Sequence, residues 1–184
     1  MKKYRVTAVL AVMVMAMLTL SGCTTFDNFK KAFIETNDDT DSTVQIGIYE
    51  PTSGADSEAA KAEIEGIELA HELYPNIGGK AVELVYSDNA SDIYAAETAA
   101  KDLVSKKPAV ILGSYGSVYS LVAGDIIYDA KIPAIAMTNT NPLVTKNNPY
   151  YFRVCYVDSN QGDILARYVL EDKKEKTAGV LVPE

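Results

Sequence analysis

The chain has 184 residues, 48% of them apolar, which is the size and composition of one globular domain with extras. Its formal net charge is −8, and without residues 1–22 the balance is 14 bases to 25 acids, a net −11. An acidic surface excludes nucleic acid as a partner, because phosphate contacts need clustered Lys and Arg, and two cysteines with one histidine are too few for a Cys/His zinc site.

Lys2, Lys3 and Arg5 make a basic start, residues 6–20 run apolar and uncharged, and Ser21-Gly22-Cys23 follows. This is the pattern of a signal peptide over residues 1–22, with an apolar run shorter than the roughly 20 residues of a membrane-spanning helix. Leu20-Ser21-Gly22-Cys23 resembles the bacterial lipobox. The resemblance implies that Cys23 becomes the acylated first residue of an exported protein held at the cell membrane by its N-terminal lipid. Residues 23–43 then form a tether. Phe26, Phe29 and Phe33 fall at helical spacing around Lys30 and Lys31, which fits either a short amphipathic segment lying on a membrane or a loose stretch that packs nowhere in particular. Residues 36–43 are acidic and polar and are expected to stay unfolded. Cys155 is left as a lone thiol and reads as a small apolar residue in a strand.

From Val44 the hydrophobic period switches between two and 3.6. Residues 44–48 alternate as a strand, and Glu50-Pro51-Thr52-Ser53-Gly54 breaks it. Ser57 is placed to cap a helix reaching Tyr74, with Ala60, Ile64, Ile67, Ala70 and Tyr74 inward. Residues 75–79 end it, and residues 82–86 form a second strand. Asp92 caps a second helix with Ile93, Ala96, Ala100 and Leu103 on one face. Residues 109–112 form a short apolar strand, suited to a sheet centre. Ser117 begins a third helix with Val118, Leu121, Val122 and Ile126 inward. Further strands are expected at 132–137, 150–156 and 177–182, with a helix from Asp158 or Ser159 to about Asp172. Such alternation predicts an α/β fold, a doubly wound parallel sheet with helices on both faces.

In that fold class ligands bind beyond the carboxyl ends of the strands. Three loops gather there: residues 50–57, Gly113-Ser114-Tyr115-Gly116-Ser117, and Thr138-Asn139-Thr140-Asn141-Pro142. They are rich in hydroxyls, amides and glycine. Ser117 opens a helix, so its N–H and hydroxyl lie at the positive end of the dipole and suit a carboxylate. Thr138 and Thr140 add partners for an ammonium or carboxylate. Ordinary turn and cap chemistry explains the same residues equally well.

Several stretches resemble leucine/isoleucine/valine-type periplasmic binding proteins: Val44-Gln45-Ile46-Gly47-Ile48 with Thr52-Ser53-Gly54, Leu84-Val85-Tyr86-Ser87-Asp88, Ile111 through Ser117, Ile132-Pro133-Ala134-Ile135, and Thr140-Asn141-Pro142. Tyr151-Phe152-Arg153-Val154, with Asp158 and Gln161-Gly162, resembles that family's crossing into its second lobe. The resemblance implies two α/β lobes closing on a ligand, here lobe 1 over residues 44–155 and the crossover and start of lobe 2 over 156–184. It implies capture of an amino acid, branched-chain or a related small polar metabolite, for an ABC transporter permease, with no cofactor. It places the carboxylate-binding serine on Ser117, ligand contacts on Thr138, Asn139 and Thr140, and the side-chain pocket on Tyr115 and Gly116. The glycine and aromatic often found before that family's first helix are replaced around Ala59-Ala60. The second-lobe ligand residues would lie beyond Glu184, so the resemblance implies a fragment.

An alternative of the same fold is an envelope lipoprotein or sensor ectodomain that regulates a protein partner. Catalysis has little to stand on. His71 sits mid-helix beside Glu68 and Glu72 and reads as part of a solvated face, residues 113–117 lack the Gly-Lys of a P-loop, and Asp88 and Asp92 read as turn and cap.

Overall fold

The computed structural model describes residues 43–181. The signal peptide, Cys23 and nearly all the expected tether lie outside the described residues. The elements run β1 (Thr43–Glu50), α1 (Ser57–Leu73), β2 (Asn76–Ile77), β3 (Lys80–Asp88), α2 (Ile93–Ser105), β4 (Val110–Gly113), α3 (Ser117–Ala130), β5 (Ala134–Ala136), a 3-10 turn (Pro142–Val144), β6 (Tyr151–Arg153) and α4 (Asp158–Arg167), which continues as a wider π turn (Tyr168–Asp172). No described helix is long and apolar enough to cross a membrane.

The sheet order is β2-β3-β1-β4-β5-β6. All neighbours are parallel except the short β2, which pairs antiparallel with β3 through Asn76–Ala81 and Ile77–Lys80. The chain steps from β1 outward to β3, then back past β1 to β4 and on to β5 and β6. This reversal makes β1/β4 the topological switch point. Right-handed crossovers put α1 on one face and α2 and α3 on the other.

The core lies between the sheet and α2 and α3. Ala96, Ala99, Ala100 and Leu103 of α2 and Tyr119, Ala123 and Ile127 of α3 pack with Tyr49, Ile111, Ala134, Ala136, Val144 and Tyr151. Small alanines let the helices approach the sheet closely, and three tyrosines fill the width. Each tyrosine hydroxyl then needs a partner. Tyr49 donates to the carbonyls of Ala96 (3.0 Å) and Tyr119 (3.2 Å), Tyr151 to that of Gly113 (3.1 Å), and Tyr119 to Asp56 Oδ2 (2.7 Å). Burial raises the pKa of all three hydroxyls; for Tyr119, to about 12, the hydrogen bond to Asp56 comes first.

The doubly wound sheet agrees with the sequence, and several details correct it. The segment 75–79, expected only to end a helix, contributes the edge strand β2, because the antiparallel bridges to β3 satisfy its backbone. Residues 177–181 pair with no described strand, so the ladder that would define the expected last strand is absent. On α1 only Ala60 and Ile67 are buried, while Ile64 is half-buried and Ala70 and Tyr74 are exposed. On α3 the inward face is rotated by about one residue. Tyr119, Ser120, Ala123 and Ile127 are buried, Val122 and Ile126 are partly buried, and Val118 and Leu121 are exposed. Ile93 of α2 is likewise exposed.

Caps divide the same way. Asp92 caps α2, its Oδ1 accepting from the N–H groups of Tyr94 and Ala95, both 2.9 Å. Ser57 is not a cap but the first residue of α1, its hydroxyl donating back to Gly54 O (2.8 Å). Val157 occupies the N-cap of α4, with Asp158 as its first residue. His71, expected on a solvated face, is half-buried with Nε2 3.0 Å from Val82 O, and so ties the end of α1 to β3. Cys155 lies just past β6 and is half-buried, its Sγ 3.2 Å from Asn139 O. No residue of α4 is buried.

Candidate functional site

The switch point brings together the carboxyl ends of β1, β4 and β5. β1 ends at Tyr49-Glu50, and Pro51 follows, all three buried. Register places Tyr49 beside Gly113, the last residue of β4. Gly113 has φ +113°, and a Cβ there would strike the Tyr49 carbonyl oxygen and come within 2.5 Å of Glu50 Oε1. Glycine is required because β1 and the turn after β4 meet without room for a side chain. Gly116, φ +84°, caps α3, and a Cβ there would lie 2.8 Å from the Tyr119 ring.

Ser117 follows as the first residue of α3. Its hydroxyl is half-buried and has no partner among the described residues. It sits among unsatisfied helix N–H groups, where an anion is favoured. Tyr115 and Gly116 are half-buried on the same rim, and Tyr115 N–H donates to Glu50 Oε2 at 2.6 Å. After β5, Thr138 is exposed with its Oγ1 hydrogen bonded to Glu63 Oε1. The Thr140 hydroxyl has no described partner, and its carbonyl accepts from Asp158 N–H at 3.0 Å. The fold thus brings Tyr115, Gly116, Ser117, Thr138 and Thr140 to one end of the sheet.

Asn139 belongs to the support behind that rim. It is 1% exposed. Its Oδ1 accepts from Ser120 Oγ (3.0 Å) and its Nδ2 donates to Ser114 O (2.9 Å). Ser120 Oγ accepts from Ser114 N–H (3.2 Å), and Ser114 Oγ accepts from Asn89 Nδ2 (2.7 Å) and donates to Tyr115 O (2.8 Å). Four buried polar side chains, Asn89, Ser114, Ser120 and Asn139, therefore fix the turn that presents Tyr115 to Ser117. Arg153 completes the frame from β6, donating to the carbonyls of Asn139 and Asn141, both 2.8 Å. Asp88, read from sequence as a turn residue, accepts from the N–H groups of Thr52, Ser53 and Ala90 and from Ser53 Oγ. Although desolvation opposes them, those bonds hold its carboxyl below the usual range.

Two functional-looking residues escaped the sequence reading. Glu50 is wholly buried at the end of β1, and Glu63 is half-buried on α1. Burial pushes Glu50 up to about 9, opposed by the Tyr115 N–H and reinforced by the charge of Glu63. Burial also raises Glu63. The only signal for Glu50 in the sequence is a charged residue closing an otherwise uncharged strand. Among the described residues no three or more His, Cys, Asp or Glu gather as a metal site would need.

A doubly wound sheet with hydroxyl-rich loops, largely free of charge, at its switch point is the architecture of a small-molecule binding lobe. The chain belongs to the periplasmic binding protein family, whose profile matches residues 43–184. An amino acid binding protein of Pseudomonas aeruginosa is 29% identical over 143 residues, covering 75% of this chain and 38% of its own length. A leucine binding protein from Thermotoga maritima superimposes with a TM-score of 0.66 at 33% identity, over 71% of this chain and 38% of its own. The branched-chain amino acid transporter substrate binding protein of Streptococcus pneumoniae, solved in complex with isoleucine, gives 0.65 at 30% identity, over 72% and 39%. The chain thus spans less than two-fifths of the length of these relatives.

Proposed function

We propose that this chain supplies the first lobe, residues 44–155, of an extracytoplasmic solute-binding lipoprotein that captures an amino acid and delivers it to an ABC transporter permease. The role is binding, not catalysis, and residues 156–184 begin the passage to a second lobe. The ligand is a branched-chain amino acid or a related small zwitterion, and the anchor is lipid on Cys23. One observation carries the reading: Ser117, with an unpartnered hydroxyl, opens α3 at the switch point between other uncharged polar groups. Ser117 takes the α-carboxylate, Thr138 and Thr140 take the ligand's charged ends, and Tyr115 and Gly116 line its side chain. Asn139 contributes by holding the rim. A relative that binds leucine and another solved in complex with isoleucine support the ligand class.

Isothermal titration of the full chain with L-leucine, L-isoleucine and the corresponding amino-acid amides tests this. The free acids are expected to bind and the amides to fail, because a hydroxyl and a helix N–H that both donate to a carboxylate are left badly matched by an amide. Ser117→Ala is expected to weaken binding roughly 5- to 30-fold, about 1–2 kcal/mol, since the helix N–H remains. Unchanged affinity in that variant removes Ser117 from the site.

A further inference from the structure

Glu50 and Glu63 lie at the meeting of β1, α1, the β4–α3 turn and the end of β5. Each carboxyl is half satisfied. Glu50 Oε2 accepts from Tyr115 N–H, and Glu63 Oε1 accepts from Thr138 Oγ1. The remaining oxygens, Glu50 Oε1 and Glu63 Oε2, are buried and have no N–H or O–H donor among the described residues. The two carboxyls act on each other: besides burial, the charge and hydrogen bonding of Glu63 raise Glu50. Two carboxylates facing each other with buried orphan oxygens repel strongly, and one proton between them removes both faults.

We propose that Glu50 and Glu63 share one proton across the switch point, and that this proton joins the two walls of the candidate site, Tyr115 on one side and Thr138 on the other. The wall assignment rests on the ligand reading above; the proton does not. Both glutamates act as positioning residues, since among the described residues Glu50 hydrogen bonds that rim through the Tyr115 backbone and Glu63 through the Thr138 hydroxyl. Among the described residues no third carboxylate, histidine or cysteine joins the pair. A proton needs only the two oxygens.

The surroundings leave the proton uncontested. On β1 the neighbouring group is Tyr49, and on β6 Tyr151; both feel the field of Glu50 and are themselves raised. Asp56, before α1, is bonded to Tyr119 of α3, and Asp88 of β3 to the loop after β1. Arg153 of β6 points its guanidinium at carbonyls and Thr145 rather than at either glutamate. Among the described residues no Lys, Arg or His forms an ion pair with either glutamate.

The sign of the pH effect follows from the raised carboxyl. The folded protein holds the proton more tightly than the unfolded chain does. Its contribution to stability is complete below the ordinary glutamate range. It falls as pH rises and is gone above about 9. In Glu50→Gln the amide N–H₂ donates to Glu63 while its carbonyl accepts from Tyr115 N–H. The bridge survives, and the titration does not.

The test is thermal denaturation of the full chain and its Glu50→Gln and Glu63→Gln variants from about pH 6 to about pH 9. The Tm of the wild type is expected to fall relative to Glu50→Gln by roughly 3 °C or more across that range. Parallel profiles overturn the proposal. Infrared spectra of the wild type guard against a variant that fails to fold. A protonated-carboxyl C=O band at neutral pH that fades as pH rises supports the shared proton, and its absence overturns it. L-isoleucine titrations on the same samples separate the two readings. Isoleucine bound with parallel Tm profiles refutes the proton and keeps the ligand. Diverging profiles with no amino acid bound keep the proton and refute the ligand site.

Discussion

Gly113→Val is expected to cost more than about 3 kcal/mol and to abolish ligand binding in whatever fraction remains folded. At φ +113° a β-branched residue is strained before any contact is considered. The new Cβ would also be driven into the Tyr49 carbonyl and toward Glu50 Oε1. Relief requires β1 and β4 to separate at their carboxyl ends. That breaks the register pairing Tyr49 with Gly113 and displaces the Tyr151 hydroxyl from the Gly113 carbonyl. The turn at 114–117, which carries most of the rim, moves with it. Urea denaturation measures the loss. Gly124→Ala is the control, because Gly124 lies inside α3 with nothing within 4 Å of an added Cβ. It is expected to stabilise the protein by about 0.5–1 kcal/mol through helix propensity alone. A tolerated Gly113→Val would mean that the close approach of β1 to the turn is not required.

Asn139→Ala is expected to destabilise the protein by about 2–4 kcal/mol, more than a typical point substitution. The amide is buried and bonds at both ends. Its loss strands the Ser114 carbonyl and removes the acceptor of the Ser120 hydroxyl. Ser120 also receives the Ser114 N–H, so the damage passes directly into the turn before Ser117. The anchors on the Asn139 carbonyl, from Arg153 and Cys155, do not depend on the side chain and stay. Faster hydrogen exchange at the Ser114 amide, out of proportion to the rest of β4 and α3, checks this route. Uniformly faster exchange would mean that Asn139 stabilises the fold as a whole rather than the rim.

Much of the candidate site was legible because it depends on local rules. Ser117 starts a helix after a short apolar strand, and Thr138 to Asn141 follow another, so topology alone sends them to one edge. Asp92 was legible for the same reason, since a cap is settled within a few residues, whereas Asp88 keeps only its bond from Ala90 N–H local and takes the others from Thr52 and Ser53, 36 and 35 residues earlier. The face of α3 was not. Its sequence does not say which face packs, and Tyr119 turns inward where the core takes its ring and Asp56, 63 residues earlier, receives its hydroxyl. His71 was misread for a like reason, since β3 supplies the Val82 carbonyl that draws it out of solvent.

The sequence by itself determined the alternation of strands and helices, the doubly wound class and the rim of hydroxyl and amide residues, because periodicity and turn chemistry act over short stretches of chain. Only the tertiary structure decided that Asn139 faces inward, that Asn89, Ser114 and Ser120 join it, and that Glu50 meets Glu63. Glu50 and Glu63 are separated by a loop and the first turns of a helix, and Asn89 and Asn139 lie on different strand ends. No local pattern encodes their meeting. Sheet order and crossover handedness bring them together, and burial then turns ordinary polar residues into a network in which every partner matters.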